Sequence, residues 1–240
     1  MRPDKSIAQK AYAFLALNRH IVGVKFLYQE DEDQAINGVE PKVPIAYCQA
    51  VKAATAGNSV KLVSKISGCT GSSRALGFVP PTETYYTGES GMKMGLYANQ
   101  EVARSVANDL SICTRPLYGV AIKPLEDFEV EPDVVLLITN TREAMRVLQG
   151  YTYVYGMHKG FCITGNQAVC VECTTYPYLQ QSINLSMFCS GTRHKAGWKD
   201  SELAIGMPYA QFIGTVQGLQ GTVNAIERNA RKAEIERMLR

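Results

Sequence analysis

Runs of apolar and β-branched residues alternate along the chain with segments of helical periodicity. Six such runs predict strands at residues 21–28, 60–66, 118–124, 134–138, 182–188 and 203–206. The alternating tyrosines of residues 151–155 predict another strand. Helical patterns predict helices at residues 6–17, 46–56, 99–110, 142–148 and 167–175, with Pro208 in the first turn of another. The interspersed pattern predicts an α/β protein.

One order of elements occurs twice. Cys48 lies on a predicted helix and is followed by a strand and by a Cys-Thr-Gly turn that begins at Cys69. Cys170 lies on a predicted helix and is followed by a strand and by a Cys-Ser-Gly turn that begins at Cys189. The two cysteines are 21 residues apart in the first copy and 19 in the second. This order favours gene duplication, although so short a tripeptide can also recur by chance.

The repeat predicts how the chain is divided. Residues 1–128 and 129–221 are expected to be two pseudo-symmetry-related α/β halves that form one compact domain with mixed sheets. Residues 222–240 are expected to form a charged C-terminal helix, and its apolar positions favour a homo-oligomer through that helix.

Composition excludes several classes of function. The formal net charge of +3 comes without a clustered basic patch, so no nucleic-acid partner is expected. No apolar stretch reaches the ~18 residues of a membrane span, and no targeting segment is visible, which favours a cytoplasmic location. The seven cysteines would then be reduced, and their odd number rules out complete internal pairing.

The duplicated cysteines predict a metal centre. Cys48, Cys69, Cys170 and Cys189 are expected to meet between the halves and to bind an iron–sulfur cluster, of which 4Fe–4S takes four cysteines, or zinc. Cys173 is an alternative ligand to Cys170. The competing interpretation is that these cysteines pack as small apolar residues, which is the interpretation that we favour for the two others, Cys113 and Cys162.

Residues beside the two turns are candidates for binding and catalysis. Gly71, Gly191 and Arg74 are expected to contact a cofactor, because backbone amides and a guanidinium bind anionic groups. Arg193 and His194 are expected to contact a small-molecule substrate that carries negative charge. The alternatives are that the arginines bond loop carbonyls and that the histidine is solvated.

Short segments along nearly the whole chain together match a known pattern: residues 22–27, Cys48 with Ala50, residues 68–71 and 75–77, residues 123–126 and 132–135, residues 184–186 and 189–193, and residues 205–208. By these segments the chain resembles the uncharacterised ArCR family (domain of unknown function 169) of archaea and anaerobic bacteria. The resemblance implies no activity; it suggests an oxygen-poor host in which iron–sulfur clusters survive.

Two hypotheses of function follow. The first is a cysteine-ligated iron–sulfur protein with a redox or lyase-type role on a small anionic substrate in anaerobic metabolism. The second is a non-catalytic small-molecule or cofactor-binding protein with structural cysteines.

Overall fold

The computed structural model describes residues 4–30, 37–222 and 237–238. Its centre is one six-stranded sheet in the order β2-β3-β1-β4-β6-β5, in which all neighbouring strands pair antiparallel. The strands are β1 (Val22–Leu27), β2 (Val60–Val63), β3 (Gly119–Pro124), β4 (Val134–Thr139), β5 (Asn184–Ser186) and β6 (Leu203–Pro208).

The expected α/β class is confirmed, whereas the expectation of mixed sheets is wrong. In the described residues, parallel pairing is confined to two isolated bridges outside the sheet ladders, Val39–Val60 and Ile45–Ser67. The reason lies in the connections. The chain passes from β1 to the edge strand β2 and then returns through β3 between them, and it repeats this path from β4 to β6. Each returning strand is antiparallel to both neighbours.

Helices cover both faces of the sheet. The helices are α1 (Lys5–Leu15), α2 (Tyr47–Thr55), α3 (Thr70–Ala75), α4 (Glu83–Tyr86), α5 (Glu89–Lys93), α6 (Gln100–Asp109), α7 (Thr141–Tyr155), α8 (Tyr176–Gln180), α9 (Ser190–Ala196) and α10 (Tyr209–Gly221). Short 3-10 turns span Ser64–Ile66 and Leu125–Asp127, and a π-helical turn spans Val171–Thr175.

The alternation of side chains along the central strands divides the core in two. In β4, Val135 and Leu137 pack with α1, α7 and α10, whereas Leu136 and Ile138 face the opposite side. That opposite core contains α2, the π-helical turn and the cysteines of both predicted turns. Both faces of the strand are apolar because both are covered, so burial of this sheet against two helical layers drives folding.

The strand predicted at residues 151–155 is wrong, because this segment is the end of α7. Asn140 caps the helix by accepting from the Glu143 amide at 2.9 Å, and the Glu143 carboxylate accepts from the Asn140 amide at 2.8 Å. This reciprocal cap starts a helix that continues to Gly156. Tyr151 is buried against the helical layer while Tyr153 is exposed, as expected of a helix, whereas residues two positions apart in a strand would share one face.

Two predictions at the end of the chain have different outcomes. Pro208 is the last residue of β6 and the cap of α10, one position before the helical turn that was predicted to contain it. The helix predicted at residues 222–240 lies outside the described residues except for 222, 237 and 238. None of the helices in the described ranges has the length and apolar content that crossing a membrane requires.

Candidate cysteine-lined site

A cavity of about 590 Å³ opens on the face of the sheet that carries α2. Four cysteines line it, two from each predicted half: Cys48, Cys69, Cys170 and Cys189. We call it the cysteine cavity. Its other lining residues are Ala46, Thr70, Gly71, Ser72, Arg74, Ser90, Met94, Leu96, Asn166, Gln167, Ala168, Gly191, Thr192 and Lys195.

The first turn of α2 presents Cys48. The side chain of Gln49 accepts from the Ala46 amide at 2.9 Å and so fixes where the helix begins. Beside Cys48, the fully buried Tyr47 places its hydroxyl 2.8 Å from Thr174 Oγ1 in the π-helical turn. A tyrosine hydroxyl buried in an apolar core requires such a partner. This bond holds the helix of Cys48 against the segment that carries Cys170.

Cys69 is the cap residue of α3. The Gly68 amide donates to the Ile45 carbonyl at 2.8 Å, which brings this turn to the start of α2. The hydroxyls of Ser72 and Ser73 donate back to the Cys69 carbonyl at 3.0 and 2.9 Å. The backbone of Cys69 is therefore fixed while its thiol faces the cavity.

Cys170 precedes the π-helical turn. The Thr175 amide donates to the Cys170 carbonyl at 3.1 Å, and the Thr174 hydroxyl donates to the Val169 carbonyl at 2.7 Å. The turn lies directly on β6: a Cβ at Gly206 would be 1.9 Å from the Cys173 carbonyl oxygen. Single π-helical turns inside helical segments are uncommon and frequent at functional sites.

Cys189 caps α9 through its sulfur. The Thr192 amide donates to Cys189 Sγ at 3.4 Å, and the Thr192 hydroxyl lies 3.3 Å from the same atom. The preceding residue, Phe188, has a left-handed backbone with φ of 65° and stacks on Trp198. Helix α9 also contacts α2, because the Gln49 side chain donates to the Lys195 carbonyl at 3.3 Å. This contact ties the second turn to the helix of Cys48.

The four thiols differ in electrostatic environment. Burial raises the pKa of Cys48 and Cys170, and the neighbouring cysteines of the cavity raise it further. Burial opposes ionisation at Cys69 too, but there the amide and hydroxyl of Ser72, the Gly71 amide and the charge of Lys195 outweigh it, so its pKa is lowered. Hydrogen bonding to the charged form and nearby cations stabilise a thiolate.

The cations of the cavity are Arg74 and Lys195. The guanidinium carbon of Arg74 lies 4.0 Å from the ring centre of Tyr85. This cation–π contact fixes the position of the guanidinium at the cavity wall. The two glycines predicted to contact a cofactor, Gly71 and Gly191, both line the cavity. A Cβ added at Gly71 or Gly191 would lie 3.8 Å or more from the sulfur of the neighbouring Cys69 or Cys189. An alanine would therefore not clash with the sulfur at either position.

Arg193 and His194, expected to contact a substrate, do not line the cysteine cavity. The Arg193 guanidinium donates to the carbonyls of Lys199 at 2.9 Å, Met187 at 2.9 Å and Glu202 at 3.2 Å. The bonds to Lys199 and Glu202 hold the segment after α9, and the bond to Met187 holds the segment before it, which is the carbonyl-bonding alternative for this arginine. His194 is exposed on the same helix.

Lys195 was not predicted from the sequence, although the signal was present. Residues three and four positions apart share a helix face, so Gly191, Thr192 and Lys195 face the cavity while residues 193 and 194 point elsewhere. Met94 and Leu96 were also missed. Their segment has no motif and reaches the wall only through tertiary folding.

The remaining cysteines lie outside the cavity lining. Cys173 is fully buried, and its thiol points to the backbone, 3.5 Å from the Ala204 carbonyl oxygen, so it does not replace Cys170 at the wall. Cys113 is buried in the core, where burial raises its pKa to about 12. Cys162 is exposed. All seven cysteines are free thiols.

The described part of the chain contains no group of three or more histidine, cysteine, aspartate or glutamate residues placed to hold a metal ion. Ligands of one zinc ion sit about 2.3 Å from it, which requires tightly converging sulfurs. The four thiols of the cavity do not converge in that way. A single tetrahedral zinc, one of the two metals expected from the sequence, is therefore not favoured by this arrangement.

Comparison with known proteins identifies relatives. An uncharacterised protein of Methanocaldococcus jannaschii is 25% identical over 153 residues. That alignment covers 63% of this chain and 66% of the relative, so it spans slightly less than two thirds of the relative's length. No solved structure matches the chain significantly. The model of the family described as uncharacterised ArCR, domain of unknown function 169, matches residues 12–218, and the chain therefore belongs to that family.

Proposed function

We propose that this protein binds an iron–sulfur cluster through Cys48, Cys69, Cys170 and Cys189 and acts in a redox or lyase-type reaction on a small anionic substrate. The observation that carries the proposal is that four cysteines from four separate segments line one cavity of about 590 Å³. Thiolates are the ligands of such clusters, and ligands can come from distant segments. A cluster is wider than one ion, so its ligands need not converge on a point.

The second part of the proposal is that the site lies between duplicated halves. Exchanging β1 with β4, β2 with β5 and β3 with β6 leaves the strand order unchanged. The same exchange swaps Cys69 with Cys189 and Cys48 with Cys170. It also preserves the register between the halves, which is centred on Gly23–Val135 and flanked by the pairs Val22–Leu136 and Val24–Val134.

The chemistry of the walls supports an anionic substrate. Arg74 and Lys195 supply positive charge, Met94 and Leu96 supply an apolar surface, and Asn166 lies on the same wall. A pocket with a few polar groups on an apolar lining is typical of small-molecule sites. In this proposal, Arg74 and Lys195 take the substrate-binding role that the sequence assigned to Arg193 and His194. When bound, a cluster held by all four cysteines would supply electron transfer; if only three of them were ligands, the open iron would supply Lewis-acid chemistry.

Oxygen-free purification followed by iron and acid-labile sulfide assays tests the proposal. We expect bound iron, sulfide and broad visible absorbance in the wild type, and loss of all three in Cys69→Ser and Cys189→Ser. Cys162→Ser is the matched control, because this thiol is exposed and outside the cavity, and it should retain the cluster. A wild-type protein without iron and sulfide would contradict the proposal.

The second candidate function is a non-catalytic small-molecule or cofactor-binding protein. Two observations favour it: no metal-holding group is found within the described residues, and the buried Cys48 and Cys170 have raised pKa values that keep them protonated. Mass spectrometry of the small molecules released on denaturation distinguishes the two. An organic compound in stoichiometric amount, without iron, would support this candidate.

Two further proposals concern the cell and the assembly. The first is that the protein is located in the cytoplasm, because free thiols persist in a reducing compartment and all seven cysteines are unpaired.

The second is that residues 222–240 mediate a homo-oligomer. Truncation after Gly221 should then lower the mass measured by light scattering, and an unchanged mass would contradict it.

A further inference from the structure

A second cavity lies at the end of β4, on the segment that joins α9 to β6. Its volume is about 240 Å³, and it shares no lining residue with the cysteine cavity. We call it the charged cavity. Five of its lining residues carry the inference: Arg19, Thr139, Glu143, Lys199 and Glu202.

The last residue of β4 leaves a polar group unsatisfied at this cavity. Thr139 is 1% exposed, and its hydroxyl has no hydrogen-bond partner among the described residues. A buried hydroxyl without a partner costs about 1–3 kcal/mol of stability. Buried polar side chains are nearly always satisfied in native proteins, so an unpartnered one at a cavity wall indicates a missing ligand or water.

Of the four charged side chains in this cavity, Arg19 and Glu202 form an ion pair with each other, whereas Lys199 and Glu143 have no ion-pair partner among the described residues. Arg19 Nε donates to Glu202 Oε1 at 2.6 Å, and the other oxygen of Glu202 accepts from the Lys199 amide at 2.7 Å. The Lys199 ammonium and the Glu143 carboxylate form no ion pair in the described structure. One oxygen of Glu143 accepts from the Asn140 amide, which leaves the other available.

We propose that the charged cavity binds a small zwitterion of the α-amino acid class. The Lys199 ammonium would attract its carboxylate, Glu143 its ammonium group, and the Thr139 hydroxyl would complete the polar contacts. The four charged side chains at the wall sum to zero, so a simple anion would face two carboxylates and a simple cation would face two positive groups. A volume of about eight water molecules is sufficient for a small amino acid.

Isothermal titration of the full-length protein with glycine, L-alanine and L-serine tests the proposal. Acetate and methylamine serve as probes that each carry one of the two charged groups. We expect saturable binding of one amino acid per chain and no measurable binding of either single-charge probe. No heat from any of the three amino acids, or acetate binding as tight as that of the amino acids, would overturn the proposal.

Two variants separate binding from folding. Glu143→Gln retains an oxygen for the Asn140 amide but removes the charge, and it should weaken amino-acid binding at least tenfold. Thr139→Val removes the unpartnered hydroxyl, so it should weaken binding without lowering the unfolding temperature of the ligand-free protein. Thr152→Val on α7, outside this cavity, is the control and should bind as the wild type does. Wild-type affinity in Glu143→Gln would overturn the assignment.

Discussion

The two halves of the sheet bring their cysteines to the same cavity by different means. In the first half, α2 packs on β3 through side chains such as the buried Ile122. In the second half, the π-helical turn lies with its backbone against Gly206, the residue that pairs with β5 as Ile122 pairs with β2. The two halves therefore share a strand order although their helical segments approach the sheet differently. The close backbone approach in the second half requires a glycine in the strand beneath it.

The connections after the two cysteine turns differ as well. Residues 76–118 separate α3 from β3 and contain three helices, and they supply Ser90, Met94 and Leu96 to the cavity wall. Only residues 197–202 separate α9 from β6, and Arg193 holds this short segment by bonds to its carbonyls. The cysteine wall is therefore common to both halves, whereas Ser90, Met94 and Leu96 of the opposite wall come from the long connection of the first half.

The largest effect on stability is expected from adding a side chain at Gly206, where the π-helical turn lies closest to the sheet. A Cβ in Gly206→Ala would lie 1.9 Å from the Cys173 carbonyl oxygen, so the π-helical turn must move or the variant unfolds. We expect a loss of about 3 kcal/mol or more in the free energy of unfolding, measured by urea denaturation. Gly160→Ala is the control, because nothing lies within 4 Å of that added Cβ. A stable Gly206→Ala protein would remove the contrast between the halves.

The next largest effect is expected from the two arginines that follow the cysteine turns, which should differ in how much each contributes to stability. Arg193→Ala leaves three carbonyls without their charged donor and should cost about 2 kcal/mol of stability. Arg74→Ala loses mainly the stacking on Tyr85 and should cost about 1 kcal/mol or less. Thermal unfolding of both variants measures the difference. Equal losses would show that the two turns use their arginines alike.

The bond between Tyr47 and Thr174, one of those that join the halves, is expected to have a smaller effect. Tyr47→Phe removes the hydroxyl that lies 2.8 Å from Thr174 Oγ1, while Thr174 keeps its bond to the Val169 carbonyl. Because only one hydrogen bond is lost and no buried donor is stranded, we expect a cost of about 1 kcal/mol in urea denaturation. Tyr153→Phe, at an exposed tyrosine, should be neutral. Equal stability of the two variants would mean that the halves do not depend on this bond.

The sequence predicted the elements better than their arrangement. Apolar β-branched runs identified all six strands, and the repeated order of cysteines identified the four thiols that line the cavity. Strand direction was missed because it depends on where each strand inserts in the sheet, which local patterns do not encode. The π-helical turn and the wall at Met94 depend on tertiary contacts in the same way. Arg193 was assigned to the substrate because its position beside Cys189 could not reveal which carbonyls fold back onto it.

A comparably small effect, and one that depends on pH, is expected at Glu202 in the short connection of the second half. Burial opposes ionisation of Glu202, but the Arg19 guanidinium, the Lys199 amide and the charge of Lys52 outweigh it and lower its pKa. A lowered folded-state pKa gives stability that is present above the ordinary carboxyl value of 4.5 and is lost as pH falls through the lowered value. Glu202→Gln should therefore be less stable than the wild type by about 1 kcal/mol at pH 7.

That difference should shrink as the pH is lowered below 4.5, because protonation then removes the same charge from the wild type. Urea denaturation across the pH range measures it. Glu89→Gln is the matched control: its carboxylate pairs with Lys93 on an exposed helix surface, where an ion pair contributes about 0.5 kcal/mol or less. If the stability difference between Glu202→Gln and the wild type stayed constant with pH, the shape of the side chain, and not its charge, would hold the connection after α9. The contrast with the long connection of the first half would then rest on Arg193 alone.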